Sequence, residues 1–130
     1  MSAYFAFEQA SPEGELKYFV IRLDDPVKIA HARRVVSGED TLHVHVHGTV
    51  VPTAKPYNPD WSFHLAPASI GFFDMQMEVC DANVTYVEDH LDEVGGAFLP
   101  KNFWCPWSSR LVEEVGYEGP ATHAGDPGAL

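Results

Sequence analysis

His43, His45 and His47 occupy alternate positions in the segment from Leu42 to Val51. On an extended strand alternate side chains share one face, with such neighbours roughly 6.6 Å apart along the chain. Two imidazoles at that spacing can chelate one zinc or copper ion, with the third assisting. His64 completes the cage if its own segment pairs alongside. The metal reading therefore takes His43, His45 and His47 as ligands and zinc or copper as the cofactor. The competing reading is a solvated strand face whose polar positions are histidine.

A second constellation is aromatic. Phe103-Trp104-Cys105-Pro106-Trp107 runs into Ser108, Ser109 and Arg110, and Tyr57-Asn58-Pro59-Asp60-Trp61 precedes it in the chain. As a nucleophile Cys105 would need a neighbouring base to form thiolate, and its local sequence supplies none. Trp, Tyr and Arg dominate binding hot spots. The expectation is thus a non-enzymatic binding domain whose contact residues are Tyr57, Trp61, His64, Trp104, Trp107 and Arg110. Its ligand would be a protein or a small molecule, and a rigid Pro/Trp wedge of the peptidase-inhibitor kind is one form of it. The same residues also describe a tryptophan cluster sealing the end of a sheet. Cys80 and Cys105 are either a disulfide or two buried thiols, and are expected to lie close in space.

The elements that position these residues follow from pattern. Ala3 to Phe7 and Leu16 to Leu23 read as the strands of a hairpin, the second apolar on both faces and hence central. Asp25 as N-cap, Pro26 at the first helical position and Gly38 as stop bracket a helix carrying Ile29, Ala32 and Val36. Leu42 to Val51 alternates as a strand, with Leu42, Val44, Val46 and Val50 opposite the histidines. Trp61 to Leu65 reads as a short strand. Phe73, Met75, Met77 and Val79 alternate with acids and Gln76 as a half-buried strand. Asp81 caps a second helix running from about Ala82 to Val94. Its acidic face, Glu88, Asp89, Asp92 and Glu93, lacks the pattern of a calcium loop and reads as solvation. Ser108 to Val115 reads as a short terminal helix. The sum is an α+β domain, a mostly antiparallel sheet of about five or six strands with two helices. It spans residues 1–117, followed by a mobile tail at 118–130.

Composition bounds the function. The 130 residues hold 8 Lys+Arg against 19 Asp+Glu, a net charge of −11. That balance excludes nucleic acid and anionic membrane as partners, since both need clustered Lys and Arg. At 45% hydrophobic and 12% aromatic the chain can build a core. No basic region followed by an apolar run marks a leader, and no apolar run approaches the ~20 residues of a membrane span. A cytoplasmic location is expected unless the chain is exported otherwise.

Four segments together carry a family likeness. Tyr57-Asn58-Pro59-x-Trp61-Ser62-Phe63-His64-Leu65, Glu78-Val79-Cys80-Asp81-Ala82, Tyr86-Val87-Glu88-Asp89-His90-Leu91-Asp92-Glu93 and Trp104-Cys105-Pro106-Trp107-Ser108-Ser109-Arg110-Leu111 resemble the N-terminal domain of a slime-mould calmodulin-binding protein. That domain also occurs as small bacterial proteins. The likeness covers the chain from about Tyr4 to Val115, and implies a self-contained domain whose aromatic loops belong together. It implies no catalytic residues. Calmodulin itself grips basic amphipathic helices, which a chain of this acidity does not offer.

Overall fold

The structure, a computed structural model, describes residues 1–75 and 78–117. The first hairpin forms as the sequence implies. Strand β1 (Ala3–Ala10) pairs antiparallel with β2 (Leu16–Leu23) in unbroken register from Ala3 opposite Leu23 to Ala10 opposite Leu16. The reversal between them is closed by Gly14, whose φ of +89° suits a residue without Cβ.

Helix α1 (Pro26–Ser37) starts and stops where local chemistry dictates. The Asp25 carboxylate accepts the Val27 N–H, Pro26 opens the first turn, and Gly38 ends it at φ +88°. Ile29, Ala32 and Val35 are its buried face.

Strand β3 (His45–Val51) is the hub of a second antiparallel sheet. Three short strands pair with it: β4 (His64–Leu65) at Val50 and Val51, β5 (Gly71–Phe73) at His45 to His47, and a third at Gly48 and Thr49. Helix α2 (Val84–Asp89) follows, then a small parallel pair, β6 (Val94–Gly95) and β7 (Phe98–Pro100). The third partner of β3 is β8 (Phe103–Trp104), and the last strand is β9 (Arg110–Val115). Strand β9 flanks β1, and the Leu111 N–H donates to the Val44 carbonyl, tying the two sheets together. The chain is a single α+β domain with mostly antiparallel sheets.

One apolar core lies between these layers. Its centre is a ring cluster in which Phe19 stands 5.2 Å from Phe7, 5.0 Å from Phe63 and 5.5 Å from Trp104. Such tilted and stacked pairs add to the area they bury.

Five expectations are corrected. First, β2 is an edge strand, and β1 is the central one; the outward Val20 is covered by the segment around Tyr57 rather than by another layer. Second, Ser108 to Val115 contains a strand, because Leu111 finds its partner in Phe7 across the sheet. Third, the strand expected over 73–79 ends at Phe73. Met75 and Val79 are 74% and 56% exposed, and Glu78–Cys80 forms a 3-10 turn instead; residues 76 and 77 lie outside the described residues. Fourth, α2 is shorter than 82–94. It is capped by Asn83, not Asp81, and the chain turns at His90 into a 3-10 segment, Leu91–Glu93. Fifth, nine strands occur among the described residues, the surplus being strands of two or three residues. The tail expected at 118–130 lies outside the described residues. Among those described, no helix is long and apolar enough to cross a membrane.

Candidate functional site

The Tyr57–Trp61 segment lies along the open edge of β2. An edge strand leaves alternate N–H and C=O groups unpaired. Here the Asn58 side chain accepts the Val20 N–H at 2.8 Å and donates to the Phe63 carbonyl at 3.2 Å. The Trp61 indole N–H donates to the Tyr18 carbonyl at 2.7 Å. Two side chains thus stand where a neighbouring strand would be. Tyr57 packs its ring 5.2 Å from Tyr4, and burial pushes its phenol up to about 12. Tyr57 and Asn58 are buried, and Trp61 is half-buried.

The second aromatic segment is also turned inward. Trp104 and Cys105 are 0% exposed, so neither has a face left for a partner. The Trp104 indole donates to the Ala82 carbonyl at 2.9 Å. Cys105 is disulfide-bonded to Cys80, with Cα atoms 5.1 Å apart, and its N–H donates to the Cys80 carbonyl. The Asp81 carboxylate accepts the Trp107 N–H. Ser109 accepts the Val46 N–H and donates to the Pro106 carbonyl. Gln9, buried on β1, joins Ser108 to the Val84 N–H at the start of α2. This segment is a clasp binding the 80–84 turn to both sheets. Trp107 is half-buried against Phe73, and Arg110 is exposed at the start of β9.

The histidines do not form one ladder. Strand β3 begins at His45, and His43 lies before it. His45 donates from Nδ1 to the Ser109 carbonyl at 2.6 Å and packs its ring 5.4 Å from Phe73. His47 sits between Phe73 and Phe103, and burial pushes its imidazole below the usual value, with Lys28 adding to the effect. Its Nδ1 is buried without a hydrogen-bond partner among the described residues. His64 is buried and donates to the Thr53 carbonyl. Of these four, His43 alone joins a group of three ligand-type side chains among the described residues, and its companions are His31 and Asp40. Sequence reasoning missed that grouping. The available signal was an Asp three positions before a His, directly after a helix stop.

The largest cleft among those on the described surface encloses about 660 Å³ and lies beside the same β2 edge. Leu16, Lys17, Tyr18, Asp60, Trp61, Thr85 and Glu113 line it. Of the expected contact residues it contains Trp61 alone. Thr85, in the first turn of α2, has a buried hydroxyl with no hydrogen-bond partner among the described residues. Such a group costs about 1–3 kcal/mol of lost hydration unless something else satisfies it. Thr85 also borders a second cleft of about 480 Å³, with Tyr86 and Phe98.

Two small antiparallel sheets, a short helix on each side of the chain's midpoint and a disulfide-anchored tryptophan clasp define a compact α+β domain with an aromatic cleft at one sheet edge. The chain belongs to the calmodulin-binding-protein N-terminal domain family, whose model matches residues 1–118. No curated protein and no solved structure matches it.

Proposed function

We propose that this chain is a non-enzymatic binding domain and that its contact surface is the cleft walled by Trp61 and Tyr18. The observation that carries this reading is the unpartnered Thr85 hydroxyl at the rim of the largest cleft. The lining supports a peptide segment of a partner protein as the occupant. It combines an aromatic wall with both signs of charge, Lys17 together with Asp60 and Glu113. A polypeptide brings matching apolar side chains, charges, and N–H and C=O groups, whereas a single-sign ligand meets repulsion from one side. The clasp around Trp104 supplies the rigid frame that limits the ordering cost of binding. A wedge of the peptidase-inhibitor kind finds no support in a fully covered Trp104.

The test is selection of displayed random peptides on the purified domain, followed by affinity measurements on two variants. Thr85→Val keeps shape and removes only the hydroxyl, and Glu113→Lys reverses one wall charge. Selected peptides should lose about tenfold or more in affinity with either variant, equivalent to about 1.4 kcal/mol. Peptides that bind both variants as they bind the parent chain would place the contact surface elsewhere.

A further inference from the structure

Beyond the aromatic cleft, the end of α1 gathers a second set of chemically capable side chains. Asp40 Oδ2 accepts hydrogen bonds from His31 Nε2 at 2.9 Å and from His43 Nδ1 at 3.2 Å. The ligand atoms of all three residues lie within 4.8 Å of one another, and among the described residues no other such group of three occurs. We propose that His31, Asp40 and His43 bind one zinc ion.

Four observations support the assignment. The ligand set is two imidazoles and one carboxylate, which suits zinc and leaves a fourth position open. Zn–N and Zn–O bonds of about 2.0–2.2 Å require tetrahedral ligand–ligand edges near 3.3–3.5 Å, so the observed 2.9 and 3.2 Å need to widen by only a few tenths. The carboxylate is already held for the purpose. Its other oxygen, Oδ1, accepts the backbone N–H groups of Leu42 and His43, leaving Oδ2 for the ion. The His31 ring is braced by Phe72 at 5.1 Å, edge to face. Outer supports of this sort fix ligand orientation in metal sites.

The surroundings fit as well. The site follows Gly38, the residue that terminates α1, where the carbonyl end of the helix favours positive charge. It borders an open cleft of about 380 Å³, through which a water or an outside ligand can reach the fourth position. Arg34 and Glu39 line that cleft with opposite charges, so neither sign dominates the approach. On zinc uptake each imidazole must move its proton to its other nitrogen, because the nitrogen facing Asp40 becomes the ligand atom. The side chains themselves stay close to their present positions.

Titration calorimetry of metal-free full-length chain with zinc chloride tests this. The parent chain should take up one equivalent. His31→Ala and Asp40→Asn should each weaken uptake at least about tenfold, and Asp40→Asn retains an oxygen for the Leu42 and His43 N–H groups, so its fold is preserved. Far-ultraviolet circular dichroism checks that both variants are folded, and His47→Ala should bind zinc like the parent. Absence of zinc binding by the parent overturns the proposal. So does parent-like binding by Asp40→Asn, or an equal loss in His47→Ala, which would move the ion to the strand face.

Discussion

The tryptophan-bearing loops and the histidine-bearing corner at the end of α1 are both rich in polar atoms, but they dispose of them differently. In the loops, Asn58, Trp61, Trp104 and Ser109 direct their hydrogen bonds to backbone groups of distant segments. In the corner, His31, Asp40 and His43 direct theirs largely to one another, at the surface. Side-chain exposure is 27%, 19% and 44% for those three, against 0% for Trp104 as a residue. Removing a loop residue strands a buried partner, whereas removing a corner residue returns its partners to water. The segments that make the family likeness so specific are therefore architecture first, and chemistry is left to less conspicuous residues.

That contrast can be broken from the loop side. Trp104→Ala should cost about 3–5 kcal/mol of stability, the range for emptying a large aromatic site in a core. A urea unfolding curve measures it, and a loss under about 1 kcal/mol would mean that the clasp is not architecture. Next in size is Asn58→Ala, which leaves the Val20 N–H and the Phe63 carbonyl unsatisfied beneath the edge plug. A cost of about 1–3 kcal/mol is expected. Hydrogen exchange at the Val20 amide should accelerate in step with it.

His47 gives the smallest effect and sharpens the comparison among the histidines. Its folded pKa is depressed by burial. The folded chain therefore binds fewer protons than the unfolded chain, and stability falls as the solution is acidified. This contribution is fully present above about pH 6.5, the unfolded value, and is lost as pH drops toward the folded pKa. His47→Leu should flatten the dependence of the unfolding midpoint between about pH 7.5 and 5. A parallel slope in parent and variant would show that His47 does not titrate with folding.

Legibility in the sequence tracked the range of the forces involved. Helix α1 was readable because Asp25, Pro26 and Gly38 act within a turn of their own positions. The hairpin and the body of β3 were readable from apolar patterning alone. Strand β9 was not, since the spacing of Leu111, Val112 and Val115 also fits a helical stripe, and only pairing with distant β1 decides. The aromatic segments announced that they belonged together, as they do. Whether a tryptophan faces a partner or a core depends on what covers it, and Ala82, Phe7 and Phe63 cover Trp104 from other parts of the chain. The His31–Asp40–His43 group was hidden for a similar reason. Its members come from a helix and the turn beyond it, and strand periodicity drew attention to His45 and His47 instead.

The central claim is that ligand meets the Trp61 cleft and not the tryptophan clasp. Amide chemical-shift mapping of the nitrogen-15-labelled domain, titrated with a selected peptide, tests it most directly. The expected result is a contiguous set of shifts at Lys17, Tyr18, Asp60, Thr85 and Glu113, together with the Trp61 indole N–H. Shifts centred instead on Cys105, Trp107 and Ser108, with the Trp61 indole unmoved, would contradict it.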